Sequence, residues 1–228
     1  MMNFNFNVAE LLFALPELFL LFAISLILLF DLFVSQRLKQ FTYYLTQIAL
    51  LITGFLAFNL IGENATIFSG TFVLDSLGST FKVFILGFAI IALVYTRHYL
   101  KAHELLRNEY FILAMMSILG MMVMVSGHSL LTLYLGLEIM SLSLYALIAT
   151  ARDRASAIEA ALKYFVLGAI ASGLLLYGMS MIYGISGSLD ISQISSFASA
   201  STLGSQQTLI LNFGLVFLVI GIAFKLGA

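Results

Sequence analysis

Long apolar runs separated by short polar segments fill the chain from end to end. Each run is long enough to cross the ~30 Å hydrocarbon core of a bilayer as one α-helix. The pattern therefore predicts an all-α, polytopic membrane protein with about seven transmembrane helices. The predicted spans are Leu11–Phe33, Phe41–Ile61, Phe81–Tyr95 with its flanks, Tyr110–Ser126, Leu130–Thr150, Ala157–Gly184 and Leu209–Ala228.

Three connecting segments carry structural information of their own. Gly62–Thr80 mixes Gly, Ser and Thr with alternating apolar residues, which is typical of either a short hairpin or an interfacial segment. Ile185–Thr208 is rich in Ser and Gly and has no Lys or Arg, so we predict a polar loop there. Arg97–Glu109 is the most charged stretch, and we expect a solvated loop.

The composition supports a membrane location and excludes several classes of function. The chain is 62% hydrophobic and only 9% charged, more apolar than a soluble domain needs. A net charge of −1 argues against a polybasic surface, so no nucleic-acid partner is expected. The sequence has no cysteine, which excludes thiolate-held iron–sulfur clusters and disulfides. His98, His103 and His128 are the remaining candidate metal ligands, and their placement predicts no metal site.

Basic residues occupy alternate loops, which predicts the orientation of the chain. The loops after the first, third and fifth spans carry them, whereas the other side has Lys82 at most. Positive charge marks the cytoplasmic side, so we expect the N-terminus outside.

The start of the chain has no basic region of the signal-peptide type, so the first span should be retained. We expect a multi-pass protein of a bacterial inner (cell) membrane rather than of an organelle inner membrane. The basic residues are Arg37, Lys39, Arg97, Lys101, Arg107, Arg152 and Arg154.

Three further charged residues lie near the ends of predicted spans. Glu17 and Asp31 border the first span, and we expect both at the interfaces, where charge costs little. Lys82 is the second residue of the third predicted span, and we expect its side chain to extend to the surface. None of the three is a predicted site residue.

A single carboxylate lies near the middle of the fifth predicted span. Glu138 shares one helical face with Tyr134, Ser141 and Tyr145, and the rest of the span is apolar. A carboxyl group at this depth costs roughly 2.5–3.5 kcal/mol on insertion scales, so it is rare unless it has a function. The alternative is a buried, protonated Glu138 that only fixes packing by hydrogen bonding to Tyr134 or Ser141.

Two lysines in later spans could act together with this carboxylate. Lys225 lies ~24 Å along the seventh predicted span. Lys163 lies about two turns inside the sixth span, where the alternative is a side chain that reaches the interface. Desolvation favours the neutral form of a buried lysine, whereas a nearby carboxylate favours its charged form. A change of partner can therefore make the lysine release or capture a proton. We therefore expect these charged groups inside the membrane to be functional.

Five stretches of the chain resemble a known family. LYLGLEIMSLSLYAL, SAIEAALKYFVLGAIASGLLLYGMSMIYG and the terminal FKLGA are similar to the subunit N family of the proton-pumping NADH–quinone oxidoreductase, respiratory complex I. ALPELFLL and FVLDSLGSTFK are similar to the opening of that family. The related subunits L and M and the Mrp-type antiporters share the glutamate on the fifth span, but they lack the run LKYFVLGA.

The resemblance implies a fold of about fourteen helices that contains two inverted five-helix repeats, with the seventh and twelfth helices broken. It implies that Glu138 and Lys225 match charged residues on helices five and seven, and that Lys163 matches a lysine on helix six. The resemblance thus predicts Glu138, Lys225 and Lys163 as the catalytic residues of proton transfer. The chain would then be the N-terminal part of such a subunit. Residues 1–109 would form three N-terminal helices, and residues 110–228 the first antiporter-like repeat, truncated in its seventh helix.

The function that the resemblance implies is redox-driven proton translocation by a membrane-arm subunit. The sequence has no G-x-G-x-x-G nucleotide loop and no cysteine. We therefore expect no cofactor in this chain, and expect partner subunits to bind NADH, FMN, the iron–sulfur clusters and quinone. The expected partners are other complex I membrane-arm subunits and the lipid bilayer. Two alternatives stay open: a cation/proton antiporter subunit of the Mrp type, and a structural subunit whose charges only hold helices in register.

Overall fold

In the part of the chain that the structure describes, seven helices are long and apolar enough to cross a membrane, as the sequence predicts. The computed structural model describes residues 8–33, 40–103, 105–199 and 204–227. Two short helices and a two-stranded sheet accompany the seven spans in these residues. The elements are α1 (Val8–Phe13), α2 (Leu15–Phe33), α3 (Gln40–Asn59), β1 (Ala65–Ile67), β2 (Phe72–Leu74), α4 (Ser76–Ala102), α5 (Asn108–Ser126), α6 (Leu130–Ile148), α7 (Ala155–Ser186), α8 (Ile191–Ala198) and α9 (Ser205–Lys225).

The first and third spans differ from their predicted limits. The stretch predicted as one first span is divided into α1 and α2 at Ala14, and Pro16 lies in the first turn of α2, where a helix tolerates proline. The third span, α4, is longer than predicted at both ends. Arg97 and His98 are therefore helical, and the prediction of a solvated loop from Arg97 onward is wrong for the residues up to Ala102.

The segment between the second and third spans contains a β-hairpin. β1 and β2 pair antiparallel, which decides in favour of the hairpin over an interfacial segment. The turn at Phe68–Gly70 has backbone in the left-handed region, with φ of 90° at Gly70. After β2, the Asp75 side chain accepts a hydrogen bond from the Gly78 N–H at 2.7 Å and caps α4. The hairpin therefore leads directly into the third span.

The segment between the sixth and seventh spans contains the short helix α8. The prediction of a polar loop throughout Ile185–Thr208 is therefore wrong at residues 191–198, and also at residues 185–186 and 205–208, which belong to α7 and α9. Asp190 caps this helix by accepting a hydrogen bond from the Gln193 N–H at 2.9 Å. A cap and one turn of apolar spacing suffice for a helix of this length, although Ser and Gly flank it.

Loop contacts join the ends of the bundle on both sides. The His128 N–H donates to the Thr71 carbonyl at 3.0 Å, and the Leu130 N–H donates to the Leu189 carbonyl at 2.9 Å. The turn before α6 is thus bonded both to the hairpin and to the segment before α8. At the opposite end, half-buried Asp31 accepts hydrogen bonds from Thr42 at 2.8 Å and Asn108 at 2.6 Å, which link α2, α3 and α5.

One apolar core joins α2, α3, α4 and α5. It includes the fully buried side chains Leu20, Leu50, Leu86 and Met115. This core extends across residue 109, so α5 packs on the first three spans as well as on α6. The division of the chain into residues 1–109 and 110–228 stays a prediction.

Glycines set the close approach of neighbouring helices around the fifth and seventh spans. A Cβ at Gly120 of α5 would lie 2.6 Å from the Gly136 carbonyl oxygen and 2.6 Å from the Met140 nitrogen of α6. A Cβ at Gly178 of α7 would lie 2.7 Å from the Gly214 carbonyl oxygen of α9. Backbones in such contact leave no room for a side chain. These crossings hold α5 against α6 and α7 against α9.

Candidate functional site

Glu138 and Lys225 form an ion pair inside the helix bundle, although 87 residues separate them. The Lys225 Nζ lies 2.6 Å from the Glu138 Oε1, and the two side chains are only 5% and 17% exposed. The Lys225 Nζ also donates to the Ser141 Oγ at 3.1 Å, and the Ser172 Oγ donates to the Glu138 Oε1 at 2.5 Å. The centre therefore joins α6, α7 and α9.

Helical spacing explains the α6 part of this centre. Glu138 and Ser141 are three residues apart, so their side chains lie on one face of the helix. Tyr145 continues that face by a further turn and packs against α7 at Gly168, where any Cβ would overlap the tyrosine ring. Because Gly168 leaves this space, α7 lies close to α6 and Ser172, one turn further along, reaches the carboxylate.

The approach of α9 explains how Lys225 reaches the same point. A Cβ at Gly221 would lie 3.0 Å from the Ala171 carbonyl oxygen of α7, so the two backbones touch one turn before the lysine. Lys225 is in the last turn of α9, and its flexible four-carbon stem extends to α6. A helical side chain points toward the N-terminus of its own helix, which is the direction in which Lys225 has to reach.

The geometry satisfies the conditions for a stable buried ion pair. Two charges taken out of water are stable together only if their contact is close and hydrogen bonds satisfy their remaining capacity. Here the Glu138 Oε1 accepts from Ser172 and from Lys225, and the ammonium group has Ser141 as a second acceptor. A carboxylate, an amine and two hydroxyl groups in contact can hold and pass a proton. Within the described ranges, His, Cys, Asp and Glu form no group of three or more that could hold a metal ion.

The structure brings two of the three predicted site residues together and leaves the third apart. Lys163 lies on the outer surface of α7 with its side chain 70% exposed, and it pairs with Glu159 one turn earlier at 2.6 Å. The alternative of a Glu138 that only fixes packing expected a hydrogen bond to Tyr134 or Ser141. Instead, the Ser141 hydroxyl accepts from Lys225 and donates to the Leu137 carbonyl. The role of all three charges in proton transfer stays a prediction.

A second buried ion pair, between Glu17 and Lys82, escaped the sequence analysis. Glu17 is 6% exposed and Lys82 is 1% exposed, so the expectation that the Lys82 side chain extends to the surface is wrong, and Glu17 is enclosed by protein. The Lys82 Nζ lies 2.5 Å from the Glu17 Oε1 and 5.0 Å from the centre of the Phe72 ring. The pair joins α2 to α4, beside the hairpin.

The error over Lys82 came from the predicted start of the third span. With a start at Phe81, Lys82 would be in the first turn, where a lysine easily reaches the surface. α4 starts at Ser76, so Lys82 lies about two turns inside the helix. The cap residue Asp75, followed three residues later by Gly78, was the signal that could have placed the start correctly.

The second half of the chain matches a family model. Residues 126–228 match the family described as NADH:quinone oxidoreductase/Mrp antiporter, transmembrane. This range includes α6, α7, α8 and α9, and with them Glu138, Ser172 and Lys225.

The chain as a whole is similar to curated relatives and to solved structures. It is 68% identical to NADH-quinone oxidoreductase subunit N of Ruthia magnifica subsp. Calyptogena magnifica, an alignment that covers 100% of this chain and 48% of the relative. It is 49% identical to subunit N of Halorhodospira halophila, over 98% of this chain and 46% of that protein. The chain thus spans about half the length of the curated relatives that it matches.

Two solved structures share the fold of the chain. A chain of respiratory complex I from Thermus thermophilus with bound aureothin matches with a TM-score of 0.71 and 27% identity, over 92% of this chain and 43% of that one. A chain of the membrane-bound sulfane sulfur reductase, an archaeal respiratory membrane complex, matches with a TM-score of 0.72 and 23% identity, over 95% and 44%. At that identity, the second match concerns the fold alone.

Proposed function

We propose that the chain is the N-terminal part of a membrane-arm subunit of a proton-translocating NADH–quinone oxidoreductase. Two similarities support this: residues 126–228 match the NADH:quinone oxidoreductase/Mrp antiporter transmembrane model, and the whole chain aligns with about half of its subunit N relatives. The subunit takes part in redox-driven proton translocation. One observation carries this proposal: Glu138 and Lys225 lie 2.6 Å apart in the bundle interior, inside the part of the chain that matches the family.

The contacts of Glu138 provide a way to release a proton from Lys225. The ammonium group is stabilised by the carboxylate at 2.6 Å, and without that counter-charge a buried amine favours its neutral form. Ser172 offers the carboxylate a second hydrogen bond, so Glu138 keeps a partner when it moves away from the lysine. An N–H bond of Lys225 then breaks, and the proton passes to water or to a neighbouring base. Return of Glu138 favours reprotonation.

The energy for this cycle comes, in our proposal, from partner subunits. The sequence has neither cysteine nor a nucleotide-binding glycine loop, so partners bind NADH, FMN, the iron–sulfur clusters and quinone. Charge changes in a neighbouring membrane-arm subunit shift Glu138 electrostatically, because attraction between charges is strong in a low-dielectric interior. Lys163 is exposed on α7 next to Glu159, which fits contact with such a neighbour.

A cation/proton antiporter subunit of the Mrp type is the second candidate, because the matching family includes both kinds of protein. Dependence on NADH separates the two. We expect the full-length subunit to co-purify with an NADH-oxidising arm, and proton translocation in proteoliposomes to stop when NADH is withheld. Cation/proton exchange that continues without NADH, driven by an ion gradient alone, would support the antiporter and contradict the oxidoreductase subunit.

We further propose that the N-terminus faces outside in a bacterial inner membrane. The described basic residues Arg97, Lys101, Arg107, Arg152 and Arg154 all lie at one end of the bundle, and Arg37 and Lys39 lie outside the described residues. This is the distribution of a cytoplasmic face.

A reporter inserted after His103 is expected to be cytoplasmic, and one inserted after Gly187 to be outside. Three spans, α5, α6 and α7, separate the two sites. The measurement is the activity of alkaline phosphatase, which folds only outside, and of green fluorescent protein, which fluoresces only inside. Identical results at both sites would refute the assigned orientation, and fusions at known positions of another inner-membrane protein calibrate the two reporters.

A further inference from the structure

We propose that Glu17, Ser79 and Lys82 form a second internal proton-holding site, located in the first spans and outside the range that matches the family. The carboxylate and the amine are in contact at 2.5 Å between α2 and α4. Ser79 precedes Lys82 by three residues on α4, so its hydroxyl lies on the same helical face. An acid and an amine are thus in contact, as they are at Glu138, and a buried hydroxyl group lies one turn away on the same face of α4.

Most of the hydrogen-bonding capacity of this cluster is unused by the described residues. Within that part of the chain, both Glu17 carboxylate oxygens, the Lys82 Nζ and the Ser79 Oγ are buried and have no hydrogen-bond partner. The Lys82 Nζ and Glu17 Oε1 atoms therefore form an ion pair whose angles do not meet the geometry of a hydrogen bond. An ammonium group has three donors and a carboxylate accepts about four hydrogen bonds, so several positions need a partner. Buried polar atoms are nearly always satisfied, and water is the ligand that suits both donors and acceptors here.

An apolar cover closes the cluster on the hairpin side. Ala14, Ile67 and Phe72 form a separate buried apolar group there, contributed by the start of the first span and by both strands. The Phe72 ring lies 5.0 Å from the Lys82 Nζ, close enough for a cation–π contact. Phe72 also pairs with Gly127, the residue that begins the turn before α6. The cover is thus held both by the hairpin and by the turn that precedes the span carrying Glu138.

The chemistry of the cluster is suited to proton transfer more than to stability. A buried ion pair contributes little to stability compared with apolar residues of the same size. At the 2.5 Å contact the ammonium group can pass a proton directly to the carboxylate: an N–H bond of Lys82 breaks, an O–H bond forms on Glu17, and the pair becomes neutral. The reverse transfer restores both charges. No further reactant is needed, because the proton that leaves Lys82 is the one that Glu17 takes up.

The test uses the double variant Glu17→Gln with Lys82→Met in the full-length subunit within its complex. It removes both charges and keeps the side-chain sizes, so the complex should assemble. This inference rests on the proposed function, so the readout is the number of protons translocated per NADH oxidised. We expect that number to be lower in the double variant than in the control Asp153→Asn. The control removes a carboxylate that is 87% exposed in its pair with Arg107. Translocation equal to that control would overturn the second site. The variant Glu138→Ala in the same assay distinguishes two outcomes. If only the second site is absent, Glu138→Ala still lowers translocation; if the proposed function is wrong, Glu138→Ala translocates normally as well.

Ser79→Ala tests the same site with little risk to folding. It removes the buried hydroxyl that is 1% exposed, whereas Thr80→Ala next to it removes a hydroxyl that bonds to the Ser76 carbonyl of its own helix. We expect lower translocation per NADH in Ser79→Ala than in Thr80→Ala, and equal values would count against the site.

In a high-resolution cryo-EM map of the complex, water density is expected within hydrogen-bond distance of Glu17, Ser79 and Lys82. A protein side chain filling these positions, or no density, would overturn the proposal.

Discussion

Replacing Lys225 with alanine in the full-length subunit is expected to lower quinone-coupled proton translocation at least about tenfold while the complex still assembles. In the described part of the seventh span, Lys225 is the one group that can carry a proton beside Glu138. Alanine leaves the Glu138 carboxylate with Ser172 as its partner, so α6 and α7 remain joined. The measurement is proton translocation in proteoliposomes supplied with NADH and quinone, normalised to the amount of assembled complex.

Glu138→Ala should cause a similar loss, because the lysine then lacks the counter-charge that tunes it. Glu138→Asp should be milder, since it keeps the charge and shortens the side chain by one methylene. The two groups act as one unit, so the double variant Glu138→Ala with Lys225→Ala should be little worse than the worse single variant. Normal translocation by an intact complex that carries both changes would exclude the proton-transfer role and leave a structural role for the pair.

Lys163→Ala is the matched comparison for Lys225→Ala, since it removes the same group from a neighbouring span. Lys163 is exposed and pairs with Glu159 within one helix, and such surface pairs contribute only ~0.3–0.5 kcal/mol. We expect a smaller loss of translocation than for Lys225→Ala. An equal loss would show that contacts of Lys163 with a partner subunit matter as much as the internal pair.

Gly120→Ala is expected to destabilise the subunit strongly, by about 1–3 kcal/mol or more. The added methyl group would lie 2.6 Å from both the Gly136 carbonyl oxygen and the Met140 nitrogen. These are backbone atoms of α6, so the whole helix has to move away from α5. Because α6 carries Glu138, the movement would also disturb the ion pair with Lys225. The measurements are the thermal unfolding midpoint and the amount of subunit in the membrane.

Gly87→Ala makes the same chemical change on α4 where no atom lies within 4 Å of the added methyl group. Alanine is the better helix former by about 0.5–1 kcal/mol, so this variant should be unchanged or slightly more stable. Equal stability of the two alanine variants would show that the α5–α6 contact is looser than the structure indicates.

The sequence by itself determined the seven spans and the chemistry available to them. Apolar length alone indicates where a helix crosses a bilayer, because backbone groups inside a membrane must bond within their own segment. The sequence also placed Glu138 and Ser141 on one helical face, since the spacing of residues along a helix is fixed. Span limits were less certain: Lys82 was misplaced because an apolar run does not show how far a capped helix extends beyond it.

Only the tertiary structure decided which charges meet. Lys163 and Lys225 both lie in predicted apolar spans, yet one points outward to Glu159 and the other inward to Glu138. The difference arises from the glycine contacts that hold α9 against α7 and α7 against α6. Likewise, Glu17 and Lys82 pair because α2 and α4 share a core with α3 and α5. Periodicity fixes the face and the depth of a side chain, whereas its partner depends on which helices pack together, and that is a property of the whole chain.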